Sequence, residues 1–196
     1  APWDEEIYNV TVYGGSTDPL YANANGCSTV APGPGSILGG YSSFTTLAPI
    51  TTVTTGQTVA LSINQDECDG APYYANGIGV WIDFDQNGTF DNPAELVYMD
   101  QTTVMGPRTV NGSITIPPNA LTGNTVMRIV CAEGASATSF TVLTPCLSYG
   151  YGETEDHLVN IIAANPCTGT PDAGNALASA TTACPTTPVN MSLGNA

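Results

Sequence analysis

Hydrophobic and polar residues alternate along most of this chain, and runs spaced like one face of a helix are nearly absent. Successive side chains of an extended strand point to opposite faces, so alternation with period two marks strands that bury one side. In IYNVTVY one face carries Tyr8, Val10 and Val12; in TVALSI it carries Val59, Leu61 and Ile63. GIGVWIDF gathers Ile78, Val80, Ile82 and Phe84. Further strands are expected in ELVYM, RTVNGSITI, TVMRIVCA, SFTVL and DHLVNII, separated by Gly, Pro and Asn clusters. IPPNALTG, from Ile116, reads as a connecting loop, because adjacent prolines cannot donate to a central ladder. The pattern predicts an all-β fold, a two-sheet antiparallel sandwich of the jelly-roll kind with an extended C-terminal strand segment.

The pattern changes near residue 165. Residues 1–164 carry the strands of the sandwich, whereas 165–196 are small, polar and proline-bearing, with no apolar set large enough to fold alone. Within that tail Val189, Met191 and Leu193 alternate with Asn190 and Ser192, as in a strand with a single buried face. A lone strand is unstable and must join a sheet. It either folds back on its own domain or is donated to a neighbouring copy, a heterologous contact that propagates into filaments.

Composition narrows the partners. Among 196 residues, 42% are apolar, enough for a sizeable core. Against 17 acids stand only Arg108 and Arg128, giving a net charge of −15. No basic surface is available to displace counterions from phosphate, so nucleic acid is excluded. An anionic membrane surface would repel the chain, and no apolar run approaches membrane-spanning length. Six cysteines (Cys27, Cys68, Cys131, Cys146, Cys167 and Cys184) with one histidine and no C-x-x-C pair indicate disulfides and an oxidising compartment rather than a zinc site. Six cysteines allow 15 pairings, of which sequence order favours Cys131 with Cys146, Cys167 with Cys184, and Cys27 with Cys68; the competing reading is that some are buried free thiols. A chain that starts at Ala1 with no leader reads as a processed or excised form of a secreted or surface protein.

The chemistry concentrates in DFDQNGTFD, which follows a strand. Counted from Asp83, it offers oxygens at Asp83, Asp85, Asn87, the Thr89 carbonyl and Asp91, with Gly88 at the sixth position. That is the spacing of a calcium loop, in which alternate ligands converge on a hard cation and glycine permits the reversal. The twelfth position is Ala94, and the next carboxylate, Glu95, is the thirteenth. With strands on both flanks, a calcium loop between strands is expected rather than a standard EF-hand. The competing reading is a solvated turn built on Asn87 and Gly88 whose acids cap backbone amides.

A second acidic run, GYGETEDHLVNII, places Glu153 and Glu155 on one face of a strand and Thr154 and Asp156 on the other. Together with VWIDFDQNGTFDNPAE, ITIPPNALTGNTVMRI and the cysteine ahead of it, this run resembles the GEVED domain, here with Thr154 in place of valine and His157 after the acids. The resemblance covers roughly residues 5–163. It implies a module of large secreted proteins of Bacteroidetes-like bacteria, found beside proteases and adhesins, and it implies no defined activity. CTGTPDAGNALASATTACP resembles the first strands of an Ig-like repeat with paired cysteines. Arg128, in VMRIV, needs a carboxylate if half-buried; Glu153 or Glu155 is the expected partner, with the two strands adjacent, and the alternative is that Glu153 or Asp156 adds ligands to the metal at residues 83–91.

Catalysis is not expected: no G-x-S-x-G is present, and His157 is the sole histidine. The function expected is a non-catalytic extracellular structural module, stabilised by calcium and disulfides, that forms homo-oligomers or filaments through its tail. The alternative is a carbohydrate-binding or adhesion module, or an accessory domain of a secreted protease. Trp3, Tyr21, Tyr73, Tyr74, Tyr149 and Tyr151 would then be glycan platforms. Asn9, Asn87, Asn111 and Asn190 head N-x-Ser/Thr sequons, a pattern that chance also produces in so Asn- and Thr-rich a chain.

Overall fold

The computed structural model describes residues 4–13, 15–17, 33–68, 70–91, 93–165, 175–178 and 191–194, with 15–17, 175–178 and 191–194 as backbone alone. In chain order the strands are β1 (Glu5–Val12), β2 (Gly15–Thr17), β3 (Tyr41–Ser43), β4 (Thr51–Thr54) and β5 (Thr58–Glu67). Then come β6 (Ala75–Ile82), β7 (Leu96–Met99), β8 (Val104–Met105), β9 (Arg108–Thr115) and β10 (Gly123–Glu133). The last are β11 (Ala135–Ser136), β12 (Thr141–Val142), β13 (Gly152–Ile162), β14 (Asn175–Ala178) and β15 (Met191–Gly194).

The fold is all-β, with two main sheets in a sandwich. One has the order β2-β1-β5-β9; the other is β3-β13-β10-β6-β7, with β4 on β13 and β8 on β6. The central ladders are antiparallel, and β3 and β4 join β13 in parallel. Alternation builds the core between the sheets: Val10, Val12, Val59, Leu61, Ile63, Val110 and Ile114 from one meet Ile78, Val80, Ile82, Met127, Ile129, Val159 and Ile161 from the other. Tyr8 is not among them. The ladder of β1 and β5 shifts register between Ile7 and Asn9, so the bulge brings Ile7 and Val10 into the core and leaves Tyr8 half-buried.

β6 is buried on both faces. Its outer side carries Trp81, which packs with Val130, Ala132, Ala135 and Leu143 in a second apolar cluster. SFTVL, expected as a strand, supplies only the short β12; the segment covers this outer face, with Leu143 fully buried. A Cβ on Gly77 would lie 2.1 Å from the Ala135 carbonyl oxygen, so only glycine lets the cover approach so closely.

Cys131 and Cys146 are free thiols, which overturns both their expected pairing and the picture of a module held by three disulfides. Cys131 belongs to the core between the sheets, whereas Cys146 is exposed and lies beside Arg128, whose neighbouring side chain Val130 belongs to the outer cluster. The sheet itself separates the two sulfurs. Burial holds the Cys131 thiol well above its ordinary pKa and therefore neutral. Cys68 is disulfide-bonded, and Cys27, Cys167 and Cys184 lie outside the described residues.

By contact the chain divides into two compact units, Ala1–Ala164 and Asn165–Ala196. In the second, β14 and β15 pair antiparallel, with Ala176 opposite Leu193 and Ala178 opposite Met191. Of the residues expected in a donated strand, Met191 and Leu193 thus lie on a strand paired within its own unit; Val189 falls outside the described residues. Among the described residues no helix is long and apolar enough to cross a membrane.

Candidate metal centre

β6 ends at Ile82 and delivers Asp83 into the acidic loop. The base of the loop is tied to the sheet: the Asp83 amide donates to Val126, the Asp83 carbonyl accepts the Thr125 hydroxyl, and the Ile82 amide donates to Glu95. Glu95, on the return limb, is buried, and its carboxylate spans the loop. One oxygen accepts the amides of Phe84 and Asp85 at 2.6 and 3.3 Å, and the other accepts the Asp91 amide at 2.8 Å.

Asp83 is buried and accepts the amides of Asn87 and Gly88 at 3.1 and 3.0 Å. Gly88, at φ 82°, makes the reversal. Asp85, Asn87, Thr89 and Asp91 stand on the exposed rim. Asn87 donates to Asp85 at 3.0 Å and to Asp91 at 3.4 Å, while its carbonyl accepts the Thr89 amide and hydroxyl at 2.7 and 2.6 Å. Asp83, Asp85 and Glu95 each offer a carboxylate oxygen, and the three lie within 4.8 Å of one another. A cavity of about 350 Å³ opens beside them, lined by Phe84, Asp85, Asp91, Glu95, Pro117 and Asn119 among others. Glu95 therefore joins the aspartates from the thirteenth position, because the loop lies between strands and its return limb need not match a helical register.

The second acidic run takes a different role. β10 and β13 are antiparallel neighbours, and Arg128 stands opposite Asp156. The guanidinium grips Asp156 in two parallel bonds of 2.7 and 2.6 Å. It also lies over the Phe90 ring at 5.0 Å. Neither Glu153 nor Glu155 is its partner, which corrects the expected pairing. Directly opposed residues share a face, and Glu153 and Glu155 oppose Cys131 and Ile129, whose side chains point into the core. Neither residue belongs to the acidic groups that could hold a metal ion.

Glu153 is fully buried and accepts the Ile7 amide at 2.8 Å and the Ser42 hydroxyl at 2.6 Å, tying β1 and β3 to β13. Burial, then the charges of Glu155 and Glu6 and a hydrogen bond shared with Glu6, hold its pKa well above the usual carboxylate range, against the Ser42 hydroxyl. Glu155 is raised by burial, an effect opposed by the His157 ring at 2.8 Å. Burial also pushes Glu5 up to about 7; its own backbone amide opposes the shift, and Asp4, Glu133 and Glu67 add to it.

Sequence patterning passed over the buried Glu5 and Glu6 and the pair of Arg108 with Asp100, whose carboxylate also accepts the Ile78 amide at 2.8 Å. The DEE run at residues 4–6 was the available signal for the first. Among the proposed platforms, Tyr73, Tyr74 and Tyr151 are exposed, Tyr149 donates to the Gly40 carbonyl at 2.8 Å, and Trp3 and Tyr21 lie outside the described residues.

No curated protein matches the chain. Residues 77–160, which hold the acidic loop, Arg128, Asp156, Glu153 and Glu155, match the GEVED domain, so a GEVED domain is present over that span.

Proposed function

We propose that residues 83–95 bind calcium, and that the unit is a non-catalytic extracellular β-sandwich module stiffened at one end by that ion. The convergence of Asp83, Asp85 and Glu95 within 4.8 Å carries this reading. Three carboxylates so close repel one another, and a hard dication with six to eight oxygen ligands relieves that repulsion. Asn87, Asp91 and the Thr89 carbonyl are the rim groups available to complete the shell. The amides that now cap Asp83 and Glu95 pre-order the loop. Calcium modules outside the cell bind with dissociation constants of about 0.1–1 mM, matched to the concentration there. Support for a non-catalytic role comes from His157, the sole histidine, which is buried, stacked on Phe44 and bonded to Glu155.

Thermal unfolding with chelator and with saturating calcium tests the reading. At a hundredfold excess over the dissociation constant, binding adds about 2.7 kcal/mol. For a chain of this size that raises the melting temperature by about 5–10 °C. Asp85→Asn should remove most of the shift. An unchanged melting temperature in the native protein would leave the loop as an amide-capped turn.

A further inference from the structure

The start of β1 and the end of β10 belong to opposite sheets, yet they bring Asp4, Glu5 and Glu133 together, with one carboxylate oxygen of each within 4.8 Å of the others. Glu5 is 1% exposed, and neither of its carboxylate oxygens has a hydrogen-bond partner among the described residues. A buried carboxylate without donors is costly, and two more acids beside it increase the cost. Neighbouring groups do not relieve it. Glu67, opposite Glu5 in the ladder, is another acid and accepts the Tyr74 amide. Arg108 is engaged by Asp100, and Arg128 by Asp156. With no lysine in the chain, no side-chain cation is left to serve this corner.

We propose that Asp4, Glu5 and Glu133 form a second site for a hard divalent cation, separate from the acidic loop. The buried Glu5 oxygens, which make no hydrogen bond among the described residues, point to a ligand that supplies positive charge, and carboxylate oxygens select calcium or magnesium over softer metals. The ion clamps the entry to β1 in one sheet to the last residue of β10 in the other. It thus cross-links the two sheets of the sandwich.

Equilibrium dialysis of the whole chain against calcium, and separately magnesium, counts bound ions in the native protein and in Glu5→Gln, Glu133→Gln and Asp85→Asn. Circular dichroism confirms that each variant is folded; Glu133 is half-buried, so its variant retains the test should Glu5→Gln misfold. The expected result is two ions per native chain and one in every variant. Two ions retained in the Glu5 and Glu133 variants overturn the proposal. One native ion that disappears with Asp85→Asn alone overturns it and leaves the loop reading intact. One native ion that disappears with Glu5→Gln or Glu133→Gln but survives Asp85→Asn upholds it and removes the loop reading. No bound ion overturns both.

Discussion

Arg128 and Asp156 show how a single register position sets an interaction. The two side chains are 21% and 7% exposed, so each charge relies on the other rather than on water. Removing one member of such a pair leaves an uncompensated charge, at a cost of about 3–5 kcal/mol. Asp156→Ala should therefore lower the urea midpoint strongly, while Arg128→Met combined with Asp156→Leu should recover most of the loss. Equal loss in the single and double variants would show that packing, not charge, is at stake. Glu153 supplies a pH effect. Its folded pKa lies well above its ordinary value of 4.5, so the folded state holds its proton more tightly than the unfolded chain. That contribution is complete below the ordinary carboxylate range and is lost as pH rises through the folded pKa. Glu153→Gln should flatten the decline of stability with rising pH, read as urea midpoints from acid to mildly alkaline solution. An unaltered slope would place the decline on Glu5 or Glu155 instead.

At the scale of elements, glycines decide where strands can be covered or crossed. Gly152 opens β13 at φ 133°, and a Cβ there would stand 2.2 Å from the Cys131 carbonyl oxygen. Gly150, two residues earlier, has open space around its own Cβ position. Backbone strain and overpacking each cost about 1–3 kcal/mol, so Gly152→Ala should lose about 2–6 kcal/mol and Gly150→Ala well under ~1. Denaturant midpoints of the two variants make the comparison, and similar losses would refute the steric argument. The same closeness at Gly77 and the outer cluster around Trp81 explain why β6 is apolar on both sides although its own ladders are antiparallel.

For the molecule as a whole, charge is the dominant stress. A net charge of −15, with Arg108 and Arg128 both engaged by acids, leaves most carboxylates to repel one another across the surface. Screening shortens that repulsion from about 10 Å at 0.1 M to about 3 Å at 1 M salt. In chelator, the melting temperature should rise as sodium chloride is added, and calcium should act at far lower concentration through its sites. A fall with added salt would mean that the Arg128 and Arg108 pairs outweigh the repulsion.

Much of this was legible in the chain. Alternation at Val59, Leu61 and Ile63, and at Ile78, Val80 and Ile82, specified strands with one face in a core, because side-chain direction along a strand is a local property. The spacing of Asp83, Asp85 and Asn87 around Gly88 marked the acidic loop for the same reason: its geometry is set within a few residues. What the order of residues left undecided is whatever depends on strand register and sheet stacking. Register put Asp156, rather than Glu153 or Glu155, opposite Arg128; a bulge exchanged Tyr8 for Ile7; one sheet came to stand between Cys131 and Cys146. Stacking brought Asp4 and Glu5 to Glu133 from far away in the chain. Those outcomes belong to the tertiary structure alone, since pairing across strands is chosen by the packing of the entire core and not by any one segment.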